Sequence, residues 1–172
     1  MRILFNSRKY DGIAGGVERM SVALMNEMVR RGHQIALTSL DPPVARTFYP
    51  LDPAVDWTRI DIGDPSRRAS PREILTRLTA MRGVVRRFRP DVIIGFQQGA
   101  FVAMAAATLG MGVPVIAAER NAPQRFDHLK DGHGRDFQFQ SFRLARFVTV
   151  QFDAYRDHYP DFIRDRIIAI PN

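Results

Sequence analysis

Apolar positions along the chain follow two rhythms, short unbroken runs and longer stripes at helical spacing, and the two alternate. "RILFN" at residues 2–6 is a continuous run and reads as a buried strand. After a glycine-containing stretch, "VERMSVALMNEMVRRG" places Met20, Val22, Leu24, Met25 and Met28 on one face of a helix. Arg30 and Arg31 sit in its last turn, and Gly32 follows as the cap. "HQIALTS" reads as a second strand, and "VDWTRIDI" alternates as a half-buried third. Residues 71–89 form a second amphipathic helix, with Ile74, Leu75, Leu78, Met81, Val85 and Phe88 on its apolar face. Pro71 suits its first turn and Pro90 ends it. "DVIIGF", a small-residue helix over 98–109, and "VPVIAAE" come next. A short helix "FQFQSFRLA", a strand "RFVTVQ", a helical turn "DAYRDHY" and a strand "RIIAIPN" complete the series.

Strands alternating with helices, several of the strands apolar throughout, predict an α/β domain with a parallel sheet covered on both faces. A length of 172 residues fits a single domain. In such sheets ligands bind beyond the carboxyl ends of the strands, where strand order reverses. That rule nominates residues 12–18, 96–99, 119–123 and 151–153, each of which follows a predicted strand.

Residues 92–118 contain no charge. A membrane-spanning helix needs about 20 apolar residues. Here Gln97-Gln98 and the "GMGVP" turn divide the stretch, so it reads as strand, helix and strand. The absence of cysteine excludes disulfides and thiolate chemistry. Net charge is +7, and all but Lys9 and Lys130 of the 25 basic residues are arginine, a balance that favours anionic partners. Arg67, Arg68, Arg72, Arg77, Arg82, Arg86, Arg87 and Arg89 cluster on the second helix and its approach. No nucleic-acid-binding signature accompanies them, so nucleic acid is not expected as a partner. A solvated helical face and contact with an anionic membrane surface both account for the cluster.

"GIAGGVERM", residues 12–20, fits neither the dinucleotide fingerprint nor a P-loop. Bare amides at Gly15 and Gly16 can still receive an anion, while Glu18 in the first turn already complements the helix dipole. "ERNAP" offers Arg120 for anion recognition beside Asn121, or a Glu119–Arg120 pair that fixes the loop. Asp11 with Glu18, and Glu119 with Asp127, are candidate carboxylate pairs. His33 reads as structural. His128, His133 and His158 lack metal-ligand spacing, so no metal is expected.

Taken in order, "RILF", "GGVERM", "RGHQIALTS", "PDVIIGF", "VPVIAAERNAP", "FVTVQ" and "IIAIPN" resemble retaining glycosyltransferases of family 4 over essentially the whole chain. "GGVERM" and "AAERNAP" are similar to bacterial members that build lipid-linked, capsular or exopolysaccharide oligosaccharides. Ala118 stands where those relatives often carry serine. The resemblance implies a Rossmann-like doubly wound parallel sheet, the N-terminal half of a GT-B fold. It implies that residues 1–172 bind the acceptor, and that a C-terminal donor-binding domain, absent from this chain, begins after the Ile-Pro-Asn segment. A nucleotide-sugar, expected to be a UDP-sugar, is then the co-substrate, with no cofactor beyond it and no metal. Gly15 and Gly16 would face the donor phosphates. Gln97, Gln98, Glu119, Arg120 and Asn121 would line the acceptor side of the cleft. Arg72, Arg82, Arg86 and Arg87 would form a membrane-facing basic helix, placing the protein in the cytoplasm, peripheral to the inner face of the plasma membrane. No catalytic residue is assigned, and the chain alone is expected to be inactive. A stand-alone α/β module that binds an anionic, phosphorylated ligand without catalysis is the alternative.

Overall fold

In the computed structural model, residues 1–123 and 139–171 are described. Seven strands, all parallel, form one sheet: β1 (Arg2–Asn6), β2 (Gln34–Ser39), β3 (Asp56–Arg59), β4 (Val92–Phe96), β5 (Val115–Ala118), β6 (Phe147–Val150) and β7 (Ile167–Ala169). Their spatial order is β3-β2-β1-β4-β5-β6-β7, so the direction of winding reverses between β1 and β4. Register follows the apolar runs. Leu4 lies between Ala36 of β2 and Ile93 of β4, and all three are buried.

Among the described residues, the long helices α1 (Gly16–Arg30), α2 (Pro71–Phe88) and α3 (Gln98–Ala107) cover the sheet. Alternation along β1 divides its side chains between the faces. Ile3 and Phe5 pack with Val22 and Met25 of α1 in one core. Leu4 packs with Met81, Val85, Phe101 and Met104 of α2 and α3 in the other. The uncharged stretch 92–118 is accordingly β4, α3 and β5, and no helix among the described residues is long and apolar enough to cross a membrane.

Local sequence explains the helix ends. Gly32, at φ 81°, lets the His33 amide reach the Met28 carbonyl (3.0 Å) while its own amide reaches Val29 (2.8 Å), a closure that needs a left-handed residue. Gly95 is required for another reason: a Cβ there would come within 2.5 Å of the Phe101 Cα, so only glycine lets α3 sit down on β4.

Two sequence expectations shift. Ile74 and Leu75 are 48% and 67% exposed, so the first half of α2 overhangs the sheet and burial begins in earnest at Met81. "VDWTRIDI" contributes only four paired residues because β3 is the edge of the sheet. A four-residue helix, α4 (Asp161–Arg164), was not evident in the sequence pattern. Of the expected helix at residues 137–145, residues 139–141 are α-helical and Phe142–Leu144 is a 3-10 turn, while its first two residues lie outside the described ones. Asp127, His128 and His133 lie outside them too.

Candidate functional site

The reversal point is organised by buried polar groups. Asn6, the last residue of β1, is fully buried. Its amide donates to the Ala100 carbonyl of α3 (2.8 Å) and accepts from the Thr38 hydroxyl of β2 (2.7 Å). Asp41, also fully buried, accepts from the backbone amides of Tyr10 (2.9 Å) and Asp11 (3.0 Å). These bonds fix the turn leading from β1 into the glycine stretch. The Tyr10 hydroxyl lies 2.9 Å from the Ser21 hydroxyl of α1, and burial pushes its pKa up to about 12. The Tyr49 hydroxyl donates to the Ala14 carbonyl (3.2 Å), so the "GIAGG" loop is pinned from both sides.

At the start of α1, Gly15 is the N-cap and provides no side-chain cap. The Glu18 carboxylate folds back against Gly15, in the space a Cβ would take, whereas Gly16 faces open space. Gly16, Val17, Met20, Arg120 and Gln151 together line a cleft of about 190 Å³. Arg120 is half-buried, and one of its terminal nitrogens donates to the Ile170 carbonyl (3.2 Å). Burial draws its guanidinium below the ordinary arginine range, and the neighbouring charge of Glu119 opposes that shift. A helix N-terminus and a guanidinium on one small cleft make a site suited to an anion.

Glu119 has a different role. It is 2% exposed, and its carboxylate accepts from the amides of Arg120 (3.1 Å) and Asn121 (3.3 Å) and from the Asn121 side chain (3.1 Å). It shapes the turn after β5 and so aims Arg120. Burial raises the pKa of the Tyr159 phenol, and the Glu119 charge adds to the rise.

Gln97 stands between β4 and α3 with φ 63° and ψ 152°, a backbone region occupied almost solely by glycine. Its amide donates to the Ala118 carbonyl (3.0 Å), which ties the ends of β4 and β5. Gln98 reaches toward the Ser141 hydroxyl (3.4 Å). Neither glutamine lines the Gly16–Arg120 cleft; the next residue, Gly99, lines a separate cavity on the α2/α3 face.

Within the basic helix the four arginines have different surroundings. Arg82 donates to the carbonyls of Ala107 (2.9 Å) and Leu109 (3.1 Å), capping the C-terminus of α3. Arg87 bonds the Thr58 hydroxyl (2.8 Å) and approaches Asp56. Arg72 and Arg86 are exposed. His33 contacts the N-terminal amine (3.3 Å), in keeping with a structural residue. No group of three or more potential metal-ligating His, Asp or Glu residues occurs among the described residues.

Sequence reasoning singled out Gly16 for donor phosphates and Arg120 for the acceptor; the structure places both on one cleft. It missed Asn6 and Asp41. The available signal was position: each polar residue ends or closely follows an apolar run, at the carboxyl edge where the winding reverses.

An all-parallel sheet in this order, with an anion-suited cleft at its reversal point, defines a Rossmann-like α/β domain. The chain belongs to the family described as glycosyl transferase 4-like domain, whose profile matches residues 15–172. Over 129 residues, 69% of this chain, it is 30% identical to the UDP-N-acetylglucosamine–N-acetylmuramyl-(pentapeptide) pyrophosphoryl-undecaprenol N-acetylglucosamine transferase of Rhodospirillum rubrum, covering 32% of that protein. The MurG structure from Acinetobacter baumannii superposes with a TM-score of 0.64 at 17% identity, covering 99% of this chain and 45% of the other. The lipopolysaccharide outer core galactosyltransferase WaaB superposes with a TM-score of 0.69 at 10% identity, covering 100% and 46%. UDP-GlcNAc 2-epimerases share the architecture as well. At these identities the structural likeness is one of fold. The chain spans about a third of the curated relative and under half of each solved structure.

Proposed function

We propose that this domain is the acceptor-binding half of a glycosyltransferase that moves a sugar from a nucleotide-sugar, a UDP-sugar in the first instance, to a lipid-linked or saccharide acceptor. The observation that carries the reading is the meeting of the α1 N-terminus at Gly16 with Arg120 on one cleft. In sugar transfer the bond from the anomeric carbon to the donor's diphosphate breaks, and negative charge accumulates on the departing diphosphate. A helix dipole and a guanidinium held in place before reaction stabilise that charge without a metal. The opposing domain supplies the remaining donor contacts, so residues 1–172 alone do not transfer sugar. The acceptor class draws support from the R. rubrum relative, whose name specifies a pyrophosphoryl-undecaprenol substrate. Exposed Arg72, beside exposed Ile74 and Leu75, with exposed Arg86 about three turns further along α2, suits a face that rests on an anionic leaflet from the cytoplasmic side.

The test is titration of a UDP-sugar against the 172-residue chain and against a form extended through a second Rossmann-like domain. Transfer by the extended form alone is the expected result. Tight donor binding or turnover by the 172-residue chain would overturn the reading. For the membrane face, co-sedimentation with liposomes should require anionic lipid and weaken with salt; binding indifferent to both would remove it.

A further inference from the structure

A cavity of about 260 Å³ lies on the α2/α3 face of the sheet, on the opposite side of β1 from the Gly16–Arg120 cleft. Its apolar wall is built by Leu78 and Met81 of α2 and Ala103 of α3, with half-exposed Ile74 at the rim. Three guanidinium groups stand around it: Arg8, Arg67 and Arg77. They are not equivalent. Arg67 is paired with the Glu73 carboxylate. Arg8 and Arg77 instead donate to main-chain carbonyls, Pro65 and Ile62 respectively. The Nη2 atom of Arg77 is buried without a hydrogen-bond partner. That atom lies against Gly63 beside the Glu73 carboxylate, not on the cavity wall, so the cavity meets other atoms of the Arg77 side chain. Ser7 and Gly99 complete the polar end of the cavity.

We infer that this cavity binds a phosphoryl group carried on an alkyl chain, the phosphate held by Arg77 and Arg8 and the first methylenes laid along Leu78, Met81 and Ala103. The inference rests on the acceptor-half reading and deepens it: the lipid phosphate of the acceptor occupies the α2/α3 face, apart from the donor diphosphate on the α1 side. Chemistry alone admits two sources, a membrane lipid headgroup or a soluble alkyl phosphate.

The probes are inorganic phosphate and butyl, hexyl and octyl phosphate, titrated into the 172-residue chain and followed by amide and guanidinium NMR shifts. Affinity should rise about fourfold for each methylene buried, with shifts centred on Ser7, Arg77 and Gly99. Arg77→Gln should weaken octyl phosphate at least about tenfold, the loss of one charge-assisted contact. Arg30→Gln removes the same charge at the far end of α1 and should change nothing. Ala103→Leu leaves the charges intact and fills the apolar end, so it should weaken octyl phosphate more than butyl phosphate. Circular dichroism melts confirm that each variant is folded. Vesicles of phosphatidylcholine with and without phosphatidic acid separate the two sources: competition by the acidic vesicles assigns the site to a bilayer lipid, and its absence to a soluble one. Equal affinity for inorganic and octyl phosphate, or equal losses from Arg77→Gln and Arg30→Gln, would overturn the inference. Sugar transfer by the extended form with no alkyl phosphate in this cavity would remove the inference alone. Alkyl phosphate binding here without any transfer would remove the functional reading alone.

Discussion

Two helices that start at the same edge of the sheet start in opposite ways. At α2, Ser70 accepts from the Glu73 amide (3.3 Å) while the Glu73 carboxylate accepts from the Ser70 amide (2.7 Å), and Pro71 follows at the first position. That reciprocal box satisfies the helix end with its own side chains. At α1, a glycine cap contributes no side-chain bond, and Gly16 opens onto a cleft that also holds Arg120. The contrast teaches where stability and ligand chemistry have been separated. A sealed N-terminus anchors the chain, and an open one at the winding reversal leaves its amides available. The start of α3 is of the second kind: Gln97 gives no side-chain cap and holds a backbone geometry that costs about 1–3 kcal/mol.

The largest effect is expected at Asp41, the buried carboxylate that fixes the approach to the open end of α1. Asp41→Ala should lower unfolding free energy by about 3 kcal/mol, because two backbone amides lose their acceptor in a buried site. A denaturant titration showing less than about 1 kcal/mol lost would mean that the loop is held by other bonds. Gln97→Gly should act in the other direction, raising stability by about 1 kcal/mol through release of strain. If the melting temperature falls instead, the side chain of Gln97 is itself a structural contact. Ser70→Ala should cost about 1 kcal/mol with sugar transfer by the extended form unaffected. The smallest effect is one of pH. Hydrogen bonds from Ser70, reinforced by Arg67, lower the Glu73 pKa from 4.5 to about 2. A carboxylate depressed in the folded state stabilises above its unfolded pKa and loses that contribution as pH falls through its folded value. Thermal melts between pH 4.5 and 2 should therefore decline less steeply for Glu73→Gln than for the parent. Parallel curves would show that the box contributes nothing there.

Much of the fold was legible because burial on both faces makes parallel strands read as unbroken apolar runs. "RILFN" and "DVIIGF" mark β1 and β4 almost to the residue. The first half of α2 misled, since periodicity reports which residues share a face and not whether anything covers it: Ile74 is in phase with Met81 yet exposed. The site was legible only in pieces. Glycines before a helix and "ERNAP" after a strand are local signals. Their meeting on one cleft depends on β5 and β6 lying beyond β4, which is a matter of strand order. Gln97 was singled out as polar, but nothing in a glutamine's identity forecasts a glycine-like φ. Glu119 was expected to line the cleft and instead turns inward to bind Arg120 and Asn121 amides, a choice made by burial at the end of β5.

The most direct test is sugar transfer by the extended form carrying Arg120→Gln, measured beside Ser70→Ala at equal folded fraction. If ligand chemistry resides at the open end of α1 and stability at the sealed end of α2, Arg120→Gln lowers the transfer rate by about tenfold or more, equivalent to about 1.4 kcal/mol of transition-state stabilisation. Ser70→Ala then transfers at the parent rate. Parent-level transfer by Arg120→Gln would contradict the account.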